Sequence, residues 1–343
     1  MSLKHSIEKQ WYGKPTWLLA LAPLSAVFSV LSLRRKKQLQ AKAYKANCPV
    51  IVVGNIAVGG TGKTPVILAL IQLLKDSEFR PGVVMRGYGA KLPDTIKSPV
   101  LVPPDADANT FGDEPVLIAS HAECPVWIAK DRVAAVKAAE QYGCNVILSD
   151  DGLQHYAMAR SFELVVQDSQ RGIGNGWCFP VGPLRESPER LSSVDFVLNN
   201  HSSRSLKEVA YDDSAMVLQP AAWVNVKKGT RVPVDALPWR GETGANQRVV
   251  AVAGIGNPKR FFNTLEQMGV FFEAQSFDDH HRYSSEDFAL VNGRPVVMTA
   301  KDAVKCRALA EANWWYLEVE AILPEALTVR ILSHCINYSA QAE

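Results

Sequence analysis

The 343-residue chain is long enough for two domains with cores of their own, since domains usually run to about 100–200 residues. Apolar residues make up 47% and charged residues 21%, the balance of a folded protein, and a net charge of +2 excludes the global basic field of a nucleic-acid binder. Six cysteines (Cys48, Cys124, Cys144, Cys178, Cys306, Cys335) form no CxxC pair and no zinc-like spacing with histidine, so they read as reduced thiols of a cytosolic protein.

In chain order the first feature is "PTWLLALAPLSAVFSVLSL", nineteen uncharged residues from Pro15 to Leu33, followed at once by "RRKK". No small-x-small cleavage site follows it, and the basic cluster is on the wrong side for a signal peptide. A helix of this length extends about 28 Å, short for a bilayer core of about 30 Å. Pro23 interrupts its first half and Ser25, Ser29 and Ser32 share one face, so a helix dipping into one leaflet is expected. A buried core helix is the alternative.

Strand-like and helical segments then alternate. Val50–Val53 reads as a buried strand, Pro65–Leu74 as a helix, "PGVVMRGYGA" as strand and loop, and "EPVLIASHA" as a helix. "CPVWIA" follows as a strand, "RVAAVKAAEQYG" as a helix and "CNVILSDDG" as a strand, and "FELVVQD", "DFVLNN" and "AMVLQP" extend the sheet. This βαβ rhythm predicts a parallel sheet covered on both faces. A turn-rich passage near residues 211–247 leads to a second α/β unit opening "RVVAVAGIGNPKRFFNTLEQMG". Its "GIGNP" turn lacks the lysine of a phosphate loop and the full dinucleotide pattern, so it reads as a tight strand-to-helix turn. The expected division is a membrane-associated segment 1–46, a first domain 47–212, a linker 213–247 and a C-terminal α/β domain 248–343.

The chemistry begins at "GNIAVGGTGKTP", residues 54–65. Gly59, Gly60 and Gly62 let the backbone curl and aim N–H groups at phosphate oxygens where the next helix starts. Lys63 then neutralises β- and γ-phosphates, and the Thr64 hydroxyl can bind Mg²⁺. Ala57 stands where the GxxxxGK[ST] pattern has its first glycine. Such a loop needs a metal-binding carboxylate at the end of a nearby strand, and "VILSDDGLQH" supplies Asp150 and Asp151. "MRGYGA", "TFGDEP" and "GNGWCFPVGPLRE" have the polar and glycine or proline density of functional loops. "DDHHRYS" sets two histidines beside two acids, which suits either metal ligation or a base oriented by a carboxylate.

Taken together, "GNIAVGGTGKTP", "RGYG", "GDEP", "DDGLQH", "GPLRE", "DHHRYS" and "TAKDAVK", in that order and behind an apolar N-terminus, resemble the tetraacyldisaccharide 4'-kinase family, the lipid A 4'-kinases of Gram-negative bacteria. The resemblance runs from the apolar segment to about Lys305. It implies a P-loop NTPase-type parallel sheet covered by helices, a second smaller α/β domain, an N-terminal membrane-associated helix, and an active site between the domains. It implies transfer of the γ-phosphate of ATP, with Mg²⁺, to the 4'-hydroxyl of an acylated glucosamine disaccharide 1-phosphate, giving the bis-phosphorylated lipid A precursor (lipid IVA).

The residues matched to the family's motifs have expected roles. Asn55, Val58, Gly59, Gly60, Thr61, Gly62, Lys63, Thr64 and Pro65 hold the nucleotide, and Thr64, Asp150 and Asp151 serve the metal. Lys63, Asp113 and His280 are the catalytic residues, Asp113 and His280 resembling the family's acid–base pair; the motif leaves open whether His280 or His281 acts. Arg86, Glu114, Gln154, Arg185 and Glu186 are expected at the transferring phosphate or the sugar headgroup. A lipid acceptor at the cytoplasmic face of the inner membrane is the implied partner, with no nucleic acid and no obligate protein partner. The rival is a membrane-associated P-loop ATPase or GTPase switch, but the chain has no Asn-Lys-x-Asp motif, and "TAKD" is a superficial likeness.

Overall fold

A computed structural model of the chain describes residues 3–93, 95–96, 98–201, 206–209, 212–239, 248–291 and 293–340. Helices α1 (Leu3–Trp11) and α2 (Ala22–Gln40) precede the first α/β unit. That unit contains β1 (Val50–Gly54), α3 (Lys63–Asp76), β2 (Pro81–Met85), β3 (Val100–Leu101), α4 (Ala108–Phe111), α5 (Asp113–Ala122), β4 (Val126–Ile128), α6 (Arg132–Tyr142), β5 (Val146–Asp150), β6 (Phe162–Asp168) and β7 (Phe196–Asn200). There follow α7 (Leu206–Val209), β8 (Ala215–Asn225), β9 (Arg231–Pro233), β10 (Val249–Ala253), α8 (Pro258–Gln267), β11 (Phe272–Ser276), β12 (Val296–Thr299), α9 (Ala300–Cys306), β13 (Trp314–Ile322) and α10 (Glu325–Ala340).

The described strands form one thirteen-stranded sheet in the order β11-β10-β12-β13-β8-β7-β6-β1-β5-β2-β4-β3, with β9 on β8. Strand β1 lies parallel between β5 and β6, with Val53 opposite Asp150. β1, β2, β4, β5 and β10 are buried at every position, as unbroken apolar runs in a doubly covered parallel sheet must be. Alternation along β1 sorts the layers: Ile51 and Val53 join the core under α3 and α5, and Val50 and Val52 join the core under α6. Helix α3 turns Val66, Ile67, Leu70, Ile71 and Leu74 to the first of these, the stripe of a helix lying on a sheet.

The seam between the two units is β8. It continues the first sheet parallel to β7, Asn199 opposite Ala215, and runs antiparallel to β13 from Asn225 opposite Trp315 to Val217 opposite Ile322. Pro220, which has no N–H to donate, falls where the register shifts between Glu318 and Val319. The 213–247 passage therefore carries a strand of eleven residues and is no mere linker; its partner lies about ninety residues on, beyond the reach of local pattern. Residues 240–247 of that passage lie outside the described residues. At the chain's other end, α10 sets Leu327, Ile331 and Cys335 into the core of the first unit.

Near the N-terminus, Trp17–Gln40 forms a helical stretch of 24 residues whose apolar 18-residue window has mean hydropathy 1.7, with 11% of that window buried. Leu24, Val27, Val30, Leu31 and Leu33 are exposed. The serine face turns inward: Ser25 Oγ donates to Cys178 O at 2.9 Å and accepts from Val181 N at 3.2 Å. Phe28 meets Phe179 edge-on at 6.1 Å. The helix is thus fastened along one edge, and the alternative of a core helix does not describe it. Replacing Leu24, Val27 and Leu31 together by Gln should change the unfolding free energy in detergent by no more than about 0.5 kcal/mol per site, as at a surface; chemical denaturation measures this.

Candidate active site

The glycine loop leaves β1 and folds back onto the 183–185 segment, where Val58 N donates to Pro183 O at 2.9 Å and Arg185 N donates to Ile56 O at 2.7 Å. Ala57 bridges Leu184 and is not among the residues with positive φ, so its backbone does not call for the missing first glycine. Gly62 caps α3 with φ 89°, and a Cβ there would stand 2.5 Å from Asn200 Nδ2, which donates to Thr61 O at 2.8 Å. Asn55 is buried behind the loop, donating to Gly59 O at 3.2 Å; it braces the loop from outside the cavity. Residues 58–65 line a cavity of about 900 Å³ at the N-terminus of α3, where backbone N–H groups and the helix dipole attract phosphate.

Asp150 ends β5 beside β1, and Asp151 follows with φ 47°. That left-handed turn sends adjacent carboxylates into different surroundings. Burial, reinforced by Glu114, pushes Asp150 up to about 7. Asp151 is held at about 2, because Lys63 and Arg185 outweigh the opposing effect of burial. Lys63 Nζ stands 3.5 Å from Asp151, and Arg185 Nη1 reaches both its oxygens at 3.0 and 3.1 Å. Asp150 Oδ1 is buried without a hydrogen-bond partner among the described residues. With Thr64 and Asp151 on the same cavity, this oxygen-only donor set fits a hard cation that takes few protein ligands and keeps water and phosphate as the rest. No cluster of three His, Cys, Asp or Glu side chains suited to a metal occurs among the described residues, so "DDHHRYS" is not a metal site of that kind.

Across the cleft, His280 Nδ1 lies 2.9 Å from Asp113 Oδ2 and 3.3 Å from Oδ1. Asp113 opens α5 after Gly112, whose φ is 91° and where a Cβ would stand 2.6 Å from Tyr88 O. Asp113 is buried and His280 faces the cavity, itself in left-handed conformation at φ 61° with Tyr88 packed on its ring at 5.2 Å. Burial opposes ionisation of Asp113, yet the His280 hydrogen bond and Lys301 bring it down to about 2. His280 is raised above its ordinary value, chiefly by that same hydrogen bond. His281 turns away, contacting Asp287 at 3.2 Å and stacking on Phe277 at 4.5 Å.

The remaining expected residues converge on the same cavity: Arg86, Glu114, Gln154, Arg185 and Glu186 all line it. Glu186 is fixed, accepting from Gln154 Nε2 at 2.8 Å and from the Tyr156 hydroxyl, with Arg190 at 3.4 Å. Helix α2 adds Phe28, Ser32 and Arg35 to the wall. Several residues of the site were not evident in the sequence. Arg132 is buried and donates from Nη1 to Val84 O, Asp150 O and Ser149 Oγ, tying the ends of β2 and β5 together. Arg260 of α8 pairs with Asp168 of β6 across the units, and the Tyr12 hydroxyl donates to Val58 O at 3.0 Å. Lys301 lies within the quoted "TAKDAVK" motif but carried no assigned role there.

A strand running into a glycine loop and helix N-terminus, acids ending the neighbouring strand, and a second α/β unit over the loop define a P-loop nucleotide-binding protein of the α/β class. The family model LpxK: Tetraacyldisaccharide-1-P 4'-kinase matches residues 17–336, and the chain belongs to this family. The tetraacyldisaccharide 4'-kinase of Idiomarina loihiensis is 44% identical over 335 residues, covering 95% of this chain and 96% of the relative. That of Pseudomonas syringae pv. syringae is 47% identical over 322 residues, covering 92% and 93%. The crystal structure of "apo" form LpxK from Aquifex aeolicus in complex with ATP matches with a TM-score of 0.75 at 25% identity, covering 93% of this chain and 100% of that one.

Gly62 and Gly60 give a paired test of the loop. Gly62→Ala meets both a positive φ and Asn200, and should cost about 1–3 kcal/mol of stability. Gly60→Ala, with nothing within 4 Å, should stay within about 0.5 kcal/mol of the parent in the same melts.

Proposed function

We propose that the chain transfers the γ-phosphate of ATP to the 4'-hydroxyl of a tetraacylated glucosamine disaccharide 1-phosphate, as the names of its relatives describe. One observation carries this reading: helix α2 presents an apolar row to the outside and Phe28, Ser32 and Arg35 to the cavity that also holds the phosphate loop. A phosphate donor and an acylated acceptor are thereby offered one site. The apolar row and the Arg34–Lys37 run after it support membrane association, and a peripheral or monotopic position at the cytoplasmic face of the inner membrane follows from the needs of the lipid and of ATP. The division into segments 1–46, 47–212, 213–247 and 248–343 is kept within this proposal, with α10 returning to the first unit.

Lys63 and the backbone amides of residues 59–64 bind the phosphates, and Thr64, Asp150 and Asp151 would hold Mg²⁺. When bound, the ion supplies positive charge against the phosphate oxygens. Arg86 and Arg185 line the cavity as cations suited to the transferring phosphate or the acceptor's anionic headgroup, while the fixed carboxylate of Glu186, with Gln154 and Glu114, suits sugar hydroxyls. The Asp113–His280 pair accepts the proton of the 4'-hydroxyl as its oxygen bonds to the γ-phosphorus and the bond to the ADP oxygen breaks. A proton lodged on His280 is stabilised by Asp113 at Nδ1.

The test is incubation of the purified protein with labelled ATP, Mg²⁺ and the disaccharide 1-phosphate lipid in detergent. A labelled bis-phosphorylated lipid is expected, with kcat lower by about a hundredfold or more in Lys63→Ala. ATP consumption that ignores the lipid would favour the switch and sink the kinase reading. The Leu24, Val27, Leu31 triple Gln variant should lose activity on vesicle-embedded acceptor far more than on dispersed acceptor.

A further inference from the structure

The contact between Asp113 and His280 joins residues 167 apart in sequence, and beside it Lys301 and Glu114 join residues 187 apart. Lys301, in the first turn of α9, keeps 16% of its side chain exposed. Its Nζ stands 3.1 Å from Glu114 Oε1, 3.4 Å from Asp279 Oδ1 and 3.7 Å from Asp113 Oδ2. One ammonium thus faces the first turn of α5 on one side and the loop carrying His280 on the other. The turn that projects it is braced: Thr299 Oγ1 accepts from Asp302 N at 3.2 Å, and fully buried Asp302 holds Lys305 at 2.7 Å, the Tyr283 hydroxyl at 3.0 Å and Gly254 N at 3.1 Å.

We propose that Lys301 is a positioning residue for the transfer reaction, bridging Asp279 to Asp113 and Glu114 so that the loop carrying His280 is fixed against the first turn of α5. The inference rests on the kinase reading above. Charge favours the bridge, because three carboxylates gathered without a cation would repel one another and splay the two units apart. Burial opposes the charge on Lys301, but Glu114, Asp113 and Asp279 outweigh it and hold the side chain protonated.

A structural clamp alone would stabilise the cleft, whereas a positioning residue also sets the charge felt by the pair. The groups facing His280 are Asp113 from α5, Asp279 from its own loop, Lys301 from α9 and the Tyr88 ring from the loop after β2; Lys305 acts on Asp113. Asp113 and Asp279 favour the imidazolium, and Lys301 disfavours it. The Asp113 hydrogen bond that Lys301 keeps in place is the larger influence, so a loop released by removing the ammonium lets His280 fall back toward its ordinary value and lowers the pH at which the pair gives up its proton.

The experiment compares full-length wild type with Lys301→Met, Lys301→Gln and Lys301→Arg, reading kcat and ATP KM across pH at saturating lipid, and the His280 ring titration by NMR. In the Met and Gln variants kcat should fall about tenfold or more with ATP KM within about twofold. The acid-side midpoint and the NMR titration should both move down, and Lys301→Arg should keep the parent midpoint; an upward move would mean that the loop stays in place without Lys301 and would overturn the proposal. An unmoved midpoint and an unmoved NMR titration in the folded neutral variants, whatever their melting temperature, would overturn the proposal. The NMR titration needs no turnover, so failure of wild type to phosphorylate lipid would count against the kinase reading alone.

Discussion

The site depends on one contact, 2.9 Å between Asp113 at the start of α5 and His280 on a loop of the second unit. Neither residue can be brought to the other by local structure. The sheet does it: β8 belongs to both units, so β7 on one side and β13 on the other fix the second unit over the phosphate loop. Arg260 with Asp168, and Lys301 with Glu114, repeat the crossing on either side of the cavity. Behind these polar and ionic contacts the units share an apolar core, in which Val304 and Ala321 pack with the residues of α3 and α5.

Within the cleft, environment separates groups of the same chemistry. Asp150 and Asp151 are adjacent in sequence, yet burial raises the first and two cations lower the second. One keeps an unpartnered buried oxygen and the other is tied to Lys63 and Arg185. His280 and His281 separate in the same way: the first faces the cavity on Asp113, and the second is spent on Asp287 and Phe277. The left-handed backbone at Asp151 and His280 lets neighbouring side chains diverge this way.

Much of this was legible in the sequence, because its signals are local. A strand, a glycine turn and a helix specify a phosphate loop within about twenty residues, and acids ending an apolar run mark the carboxylates. What stayed hidden needed distant partners. The opening of β8, "AMVLQP", reads as a strand that extends the sheet, but its continuation to Asn225 makes sense only against β13, and α10 only against the first core, so most of the 213–247 passage resembled a linker. Arg132 and Lys301 look like ordinary surface charges until three strand-end acceptors around one, and three carboxylates around the other, are assembled. Whether His280 or His281 faces the cavity turned on backbone conformation, which the motif does not encode.

The measurement that tests the central claim most directly is a double-mutant cycle on kcat with Asp113→Ala, His280→Ala and the double variant, at saturating ATP and lipid. If the two side chains act as one unit across the cleft, the double variant is no slower than the poorer single one, and ATP KM changes little. Losses that multiply in full would mean that the two residues act independently, and the cross-unit pair would no longer be the centre of the site.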